Sequence, residues 1–152
     1  MNTILVGNKT SLKSKQLRQL EQLGQKKVNP DEVIGSNLAR NLTSLSAELN
    51  RQLGLIIHRS GKVECVIIGD YDRIEIPVLS KIRSSGGRLR GMRCVHTSFG
   101  RSGPNEEDIM DMACLRLDMM SILTMQDGYP DLLHTAHLIP GQVENRDWQN
   151  PL

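Results

Sequence analysis

Apolar positions along the chain follow first a strand spacing, then a helical one, and then strand spacings again. "TILV" (Thr3 to Val6) is a short apolar run ended by the turn "GNKT", and reads as a strand. From Ser11 onward Leu12, Leu17, Leu20 and Leu23 are set among Lys, Arg, Gln and Glu, with Gly24 as the stop, which predicts an amphipathic helix. After the connector "NPDEVIG", a helix is expected from Ser36: Leu38, Leu42, Leu45 and Leu49 recur at four, three and four residues and place one leucine stripe toward a core. "LGLIIHRSGKVECVIIGD" holds two apolar runs, Leu53 to Ile57 and Val63 to Ile68, around the turn-forming "RSG", the pattern of a β-hairpin. "YDRIEIPVLSKI" is expected to continue the sheet through Ile74 and Ile76 until Pro77 interrupts it, and "GMRCVHT" to add a strand. Asn105, followed by three acids and then "IMDMACLRLDMM", has the form of a capped helix start. "SILTM" reads as a strand, "DGYPD" as a turn, and "LLHTAHLIP" as a last strand before the polar "GQVENRDWQNPL".

That order predicts an α+β fold, a mixed β-sheet flanked by helices in α/β/α layers. At 152 residues the chain suits a single domain, here 1–140, with 141–152 as a polar tail. Apolar residues make up 38% and aromatics 3%, so the core is expected to be Leu, Ile, Val and Met. Cys65, Cys94 and Cys114 are odd in number and widely spaced, which argues against a disulfide framework or a CxxC zinc ribbon. No apolar run approaches a membrane span and the N-terminus lacks a signal-peptide pattern, so a cytoplasmic protein is expected. Net charge is only +2, yet "KIRSSGGRLRGMR" gathers Lys81, Arg83, Arg88, Arg90 and Arg93 without an acid. Such a segment is either a solvated loop or a contact for RNA backbone.

Two features bear on chemistry. "LVGNKTSL" is close to the Asn-Lys-x-Asp pattern that reads guanine, but Ser11 stands where the carboxylate must be, and no GxxxxGK[ST] phosphate loop accompanies it. The chain is therefore not expected to hydrolyse GTP alone. "VHTSFGRSGPNEED" places His96 at a strand end and Asp108 on the first turn of the next helix, so both can face one cleft. A hydrolytic zinc usually takes three such ligands and a water, and these are two. Each has a structural alternative: Asp108 can close a capping box with Asn105, and His96 can be satisfied by a backbone carbonyl. His134 and His137 are spaced to point to opposite faces of a strand, Asp111 and Asp118 suit a solvated helix face, and Met110, Met112, Met119 and Met120 read as flexible core filling.

"GRLRGMRCVHTSFG", the acidic helix with "ACLRLDMM", "DGYPDLLHTAHLIP" and "LNRQLGLIIHRSGKVECVIIGD" together resemble the N-terminal region of bacterial HflX-type ribosome-associated GTPases. The resemblance covers most of the chain, from the first helix to "HLIP", and lies in order and spacing. In that family the segment often reads His-Thr-His, then Ser or Thr, two residues and Asp. This is similar to the JAMM/MPN metalloprotease pattern, also seen in RadC-like proteins, in which two histidines and an aspartate hold zinc, a glutamate is the base and a serine stabilises the oxyanion. The resemblance implies a JAMM/MPN-like fold, with the layering of cytidine deaminases. His96 matches the first histidine and Asp108 the aspartate. Ser98 replaces the second histidine, Asn105 the serine, and Gln52 the glutamate. The nearest carboxylate, Glu64, is not in the matching place.

The reading that follows is a vestigial metal site in a non-catalytic binding or regulatory domain, without a cofactor of its own. The tail would begin a linker to a GTPase part, and GTP and magnesium would belong to that part. The partners implied are the ribosome and its RNA, through the basic segment, or the protein's own GTPase domain. The rival reading is a zinc-dependent hydrolase or isopeptidase using His96, Asp108 and Glu64 or a substrate group. A homodimerisation module is a third.

Overall fold

The computed structural model describes residues 4–29, 31–76, 92–100, 103–106, 108–110 and 117–137, and the backbone of 143–147. Its elements in chain order are β1 (Ile4–Gly7), α1 (Ser14–Leu23), α2 (Ser36–Leu49), β2 (Leu53–Ile57), β3 (Val63–Ile68), β4 (Arg93–Ser98), β5 (Met119–Gln126), β6 (Tyr129–His137) and β7 (Val143–Asp147). The strands form one mixed sheet in the order β1-β3-β2-β4-β5-β6-β7. The α+β class and the mixed sheet expected from the sequence are present.

Both faces of the sheet are buried at its centre, which is why β2 and the Cys65–Ile68 part of β3 read as near-continuous apolar runs. On one face Leu53, Leu55, Ile57, Val66, Ile68, Val95 and Leu123 pack under the α1 and α2 residues Leu20, Leu23, Leu38, Leu42 and Leu45. On the other, Ile56, Cys65, Ile67, Cys94, Met120 and Ile122 pack with Ile74, Met92 and Leu117. Each fully buried Leu or Ile contributes about 1.5–3 kcal/mol relative to exposure. Cys65 and Cys94 are thus core residues, and burial followed by the charge of Glu64 pushes the Cys65 thiol up to about 12. Cys114 lies outside the described residues.

Local chemistry sets the element ends. Helix α1 starts at Ser14 rather than Ser11, because Ser11 adopts φ 62°, a left-handed conformation that no helix continues through. Helix α2 ends where Asn50 takes φ 58° as a left-handed cap. Ile74 and Ile76 do not continue the sheet as expected. They follow β3 outside any strand, with Ile74 buried against the core. The expected five-residue turn "DGYPD" is also shorter: Asp127 and Gly128, at φ 54° and 80°, make a two-residue hairpin, and Tyr129 to Asp131 belong to β6. Among the described residues the β6–β7 pairing begins at Leu132, past Pro130. Val143–Asp147, expected as polar tail, forms the edge strand beside β6.

Strands β1, β3, β4 and β5 run in the same direction, so their carboxyl ends share one edge of the sheet. A buried relay fixes that edge to helix α2. Leu53 N–H donates to Thr97 Oγ1 at 2.9 Å, the Thr97 hydroxyl meets Ser46 Oγ at 2.8 Å, and Ser46 donates to Arg51 O. Thr97→Val leaves the Leu53 amide without its acceptor, and should lower unfolding free energy by about 1–3 kcal/mol. Urea denaturation checks this; Thr97→Ser should lose less, and equal stability of the Val and Ser variants would exclude the relay.

Candidate functional site

The carboxyl edge opens into a cleft of about 300 Å³, at the small end of ligand pockets, lined by Gln52, Asp72, Arg73, Ile74, His96, Ser98, Gly103, Asn105, Asp108 and Ile122. Crevices at strand carboxyl ends are where sheets of this kind commonly bind ligands. All five positions matched to the metalloprotease pattern, Gln52, His96, Ser98, Asn105 and Asp108, line this one cleft. They come from before β2, from β4 and from the helical turn that begins at Glu106.

His96 lies directly across from Gly54 on β2. A Cβ at Gly54 would stand 3.2 Å from His96 Cβ and 3.1 Å from Ile74 Cδ1, so the glycine gives the imidazole its room. His96 as a residue is 3% exposed. Its Nδ1 lies 2.9 Å from the Thr97 carbonyl and its Nε2 2.9 Å from Asp108 Oδ1. Both neighbours are acceptors, so both hydrogen bonds form together when the ring carries two protons, making the contact an ion pair.

Asp108 is held from its other side by the helix start. Asn105 N–H donates to Asp108 Oδ2 at 3.0 Å and Asp108 N–H donates to Asn105 Oδ1 at 2.8 Å, a reciprocal capping box. Burial acts to raise the Asp108 carboxyl, but the His96 hydrogen bond, the His96 charge and the Asn105 amide outweigh it and hold the group below the ordinary carboxylate range. Ser98 Oγ accepts the Gly100 N–H at 3.2 Å. Gln52 Nε2 donates to Tyr71 O at 3.2 Å, while its main chain bridges to Gly69 and Asp70.

This donor set does not fit a zinc ion. His96 and Asp108 are two ligands, the second-histidine position is a hydroxyl and the base position an amide. No group of three His, Cys, Asp or Glu suited to a metal occurs among the described residues. Glu64, the carboxylate considered as a substitute, does not line the cleft; it sits at the irregularity near the start of β3, the strand end away from the cleft. His134 and His137 pair with Ile122 and Met119 on β5, an odd number of residues apart, and so occupy opposite faces of the sheet. Asp111, Met112 and Arg116 lie outside the described residues.

Of the basic segment, Lys81, Arg83, Arg88 and Arg90 lie outside the described residues. Arg93 has a structural role: its guanidinium donates to the carbonyls of Val33 and Glu32 at 3.3 and 3.0 Å, tying β4 to the connector between the helices. Sequence reasoning missed Asp72 and Arg73 on the cleft wall and the bridging role of Thr97; none of them carries a local motif.

Comparisons with protein-family models, with curated proteins and with solved structures gave no match to this chain. Among the described residues no helix is long and apolar enough to cross a membrane.

The depressed Asp108 value sets a pH dependence. A carboxyl whose folded pKa lies below its unfolded value of about 3.9 contributes stability above that value and loses it as pH falls through the folded pKa. The stability advantage of the wild type over Asp108→Asn should therefore shrink as pH drops below about 4. Urea titrations across that range test it, and a difference independent of pH would show that the ion pair carries no stability.

Proposed function

We propose that this chain is a non-catalytic binding or regulatory domain, the N-terminal JAMM-like module of an HflX-type GTP-binding protein that acts on ribosomes in the cytoplasm. GTP and magnesium belong to a part outside this chain. The observation that carries the reading is the state of the cleft: the five pattern positions meet, but the two retained groups, His96 and Asp108, bind each other, and amide and hydroxyl groups stand at the base and second-histidine positions. An amide cannot take a proton from water, so Gln52 cannot serve as the base at the position matched to it. What persists is a shaped polar cleft on a rigid sheet edge, suited to holding a partner or ligand. The basic segment is the candidate contact for ribosomal RNA, through Lys81, Arg83, Arg88 and Arg90; Arg93 is better left out of such a surface because its donors hold backbone carbonyls.

A zinc-dependent hydrolase is the second reading. One observation favours it: the Thr97 carbonyl fixes Nδ1 of His96 and leaves Nε2 directed at a carboxylate oxygen, as second-shell carbonyls do for metal-binding histidines.

Metal analysis of protein purified without chelator or a metal-affinity tag separates the two. Zinc far below stoichiometric, unchanged by His96→Ala, is expected; stoichiometric zinc that disappears in His96→Ala would establish the hydrolase instead. Co-sedimentation with ribosomes tests the partner: reversing charge at Lys81, Arg83, Arg88 and Arg90 together should weaken binding and flatten its salt dependence, and unchanged binding would remove RNA as the target of this segment.

A further inference from the structure

The hydrogen bonds already made by the residues that line the cleft fix what they have left to offer. The Gln52 amide must turn Nε2 to the Tyr71 carbonyl, which can only accept, so the group that remains is the acceptor Oε1. The Asn105 amide is fixed the opposite way: Oδ1 takes the Asp108 N–H, and the donor Nδ2 remains. Ser98 Oγ accepts the Gly100 N–H and keeps its own proton to donate. His96 and Asp108 are bonded to each other. Among the described residues, Gln52 Oε1, Asn105 Nδ2 and the Asp72 carboxylate make no hydrogen bond or ion pair. Gln52 is only 8% exposed and still lines the cleft.

We infer that the cleft takes a zwitterionic α-amino acid with an apolar side chain. The groups left over are sorted by origin. The acceptors, Gln52 Oε1 and the Asp72 carboxylate, come from before β2 and after β3; the donors, the Ser98 hydroxyl and Asn105 Nδ2, come from the end of β4 and the helix cap. An ammonium group only donates and a carboxylate only accepts, so a molecule with both on one small frame answers the two sets together. A neutral amide also has a donor and an acceptor, but it brings no charge to Asp72. The cation that lines the cleft, Arg73, meets Glu75 at 3.4 Å in an exposed ion pair and is not assigned to the ligand. Ile74 and Ile122, 7% and 2% exposed, supply the apolar surface for an aliphatic side chain. A volume of about 300 Å³ suits a molecule of this size. The inference rests on the reading of the cleft as a binding site and names what it binds.

Titration calorimetry and amide NMR on the full chain test it with leucine, with N-acetyl-leucine, whose ammonium is gone, and with leucinamide, whose carboxylate is gone. Leucine should bind and shift the amide signals of Gln52, Ser98 and Asn105, while those of Leu20 and Val66 stay in place. Each analogue should bind about tenfold more weakly or worse, the loss expected for hydrogen bonds to one charged group. Asp72→Asn removes the anion at an exposed position. Asn105→Asp keeps a good cap residue and exchanges the Nδ2 donor for an acceptor. Both variants should weaken leucine binding to a similar extent with the core signals unchanged. Leucinamide or N-acetyl-leucine binding as tightly as leucine would overturn the zwitterion, and so would the absence of any cleft shift with leucine up to its solubility limit. Ribosome co-sedimentation is read separately: ribosome binding without leucine binding strikes only the amino acid, whereas failure of both strikes the binding domain as well.

Discussion

Thr97 is the residue on which the two sides of the sheet depend. Its hydroxyl lies on the helix face, where it accepts the Leu53 amide and meets Ser46 of α2. Its carbonyl lies within reach of the imidazole on the cleft face and fixes His96 Nδ1. One β-residue therefore sets the docking of a helix and the aim of a site histidine. A buried hydrogen bond contributes only about 1 kcal/mol net, but each partner left without it costs more, so the groups joined at Thr97 move together or not at all.

The cleft is built with the same economy. Asp108 belongs to a helix cap worth about 1 kcal/mol and to the His96 ion pair at once. A buried pair whose remaining lone pairs are filled is self-consistent, whereas either partner alone would be an uncompensated charge. Folding alone therefore gives His96 and Asp108 a reason to sit together. With His96 and Asp108 bonded to each other, the other polar groups lining the cleft are the Gln52 and Asn105 amides, the Ser98 hydroxyl and the charged Asp72 and Arg73.

The central architecture was legible in the sequence because burial dictates it. The leucine stripe of α2 and the apolar runs of β2 and β3 follow from a core on both sheet faces, and the acidic start after Asn105 follows from the needs of a helix N-terminus. What was not legible has the opposite character. Strand β7, "VENRD", sits at an edge and has no apolar period to announce it. Ile74 is apolar yet unpaired, because it covers the sheet instead of joining it. At the site, the proximity of His96 and Asp108 could be expected from neighbouring elements, but the contact of Tyr71 with Phe99 and the hold of Arg93 on Glu32 and Val33 join distant segments that nothing local connects.

The register of β1 has a consequence for how the molecule is made. Ile4 pairs with Cys65 and Gly7 with Ile68, in parallel, so the first strand's sheet partner among the described residues lies about sixty residues downstream. A ribosome adds roughly 5–20 residues each second, and β1 must wait several seconds without a neighbour while both helices and the hairpin are completed. The hairpin, whose strands meet across a short turn, needs no such delay. Strand β1 is thus synthesised before both helices yet can be placed only once β3 has emerged to offer it an edge.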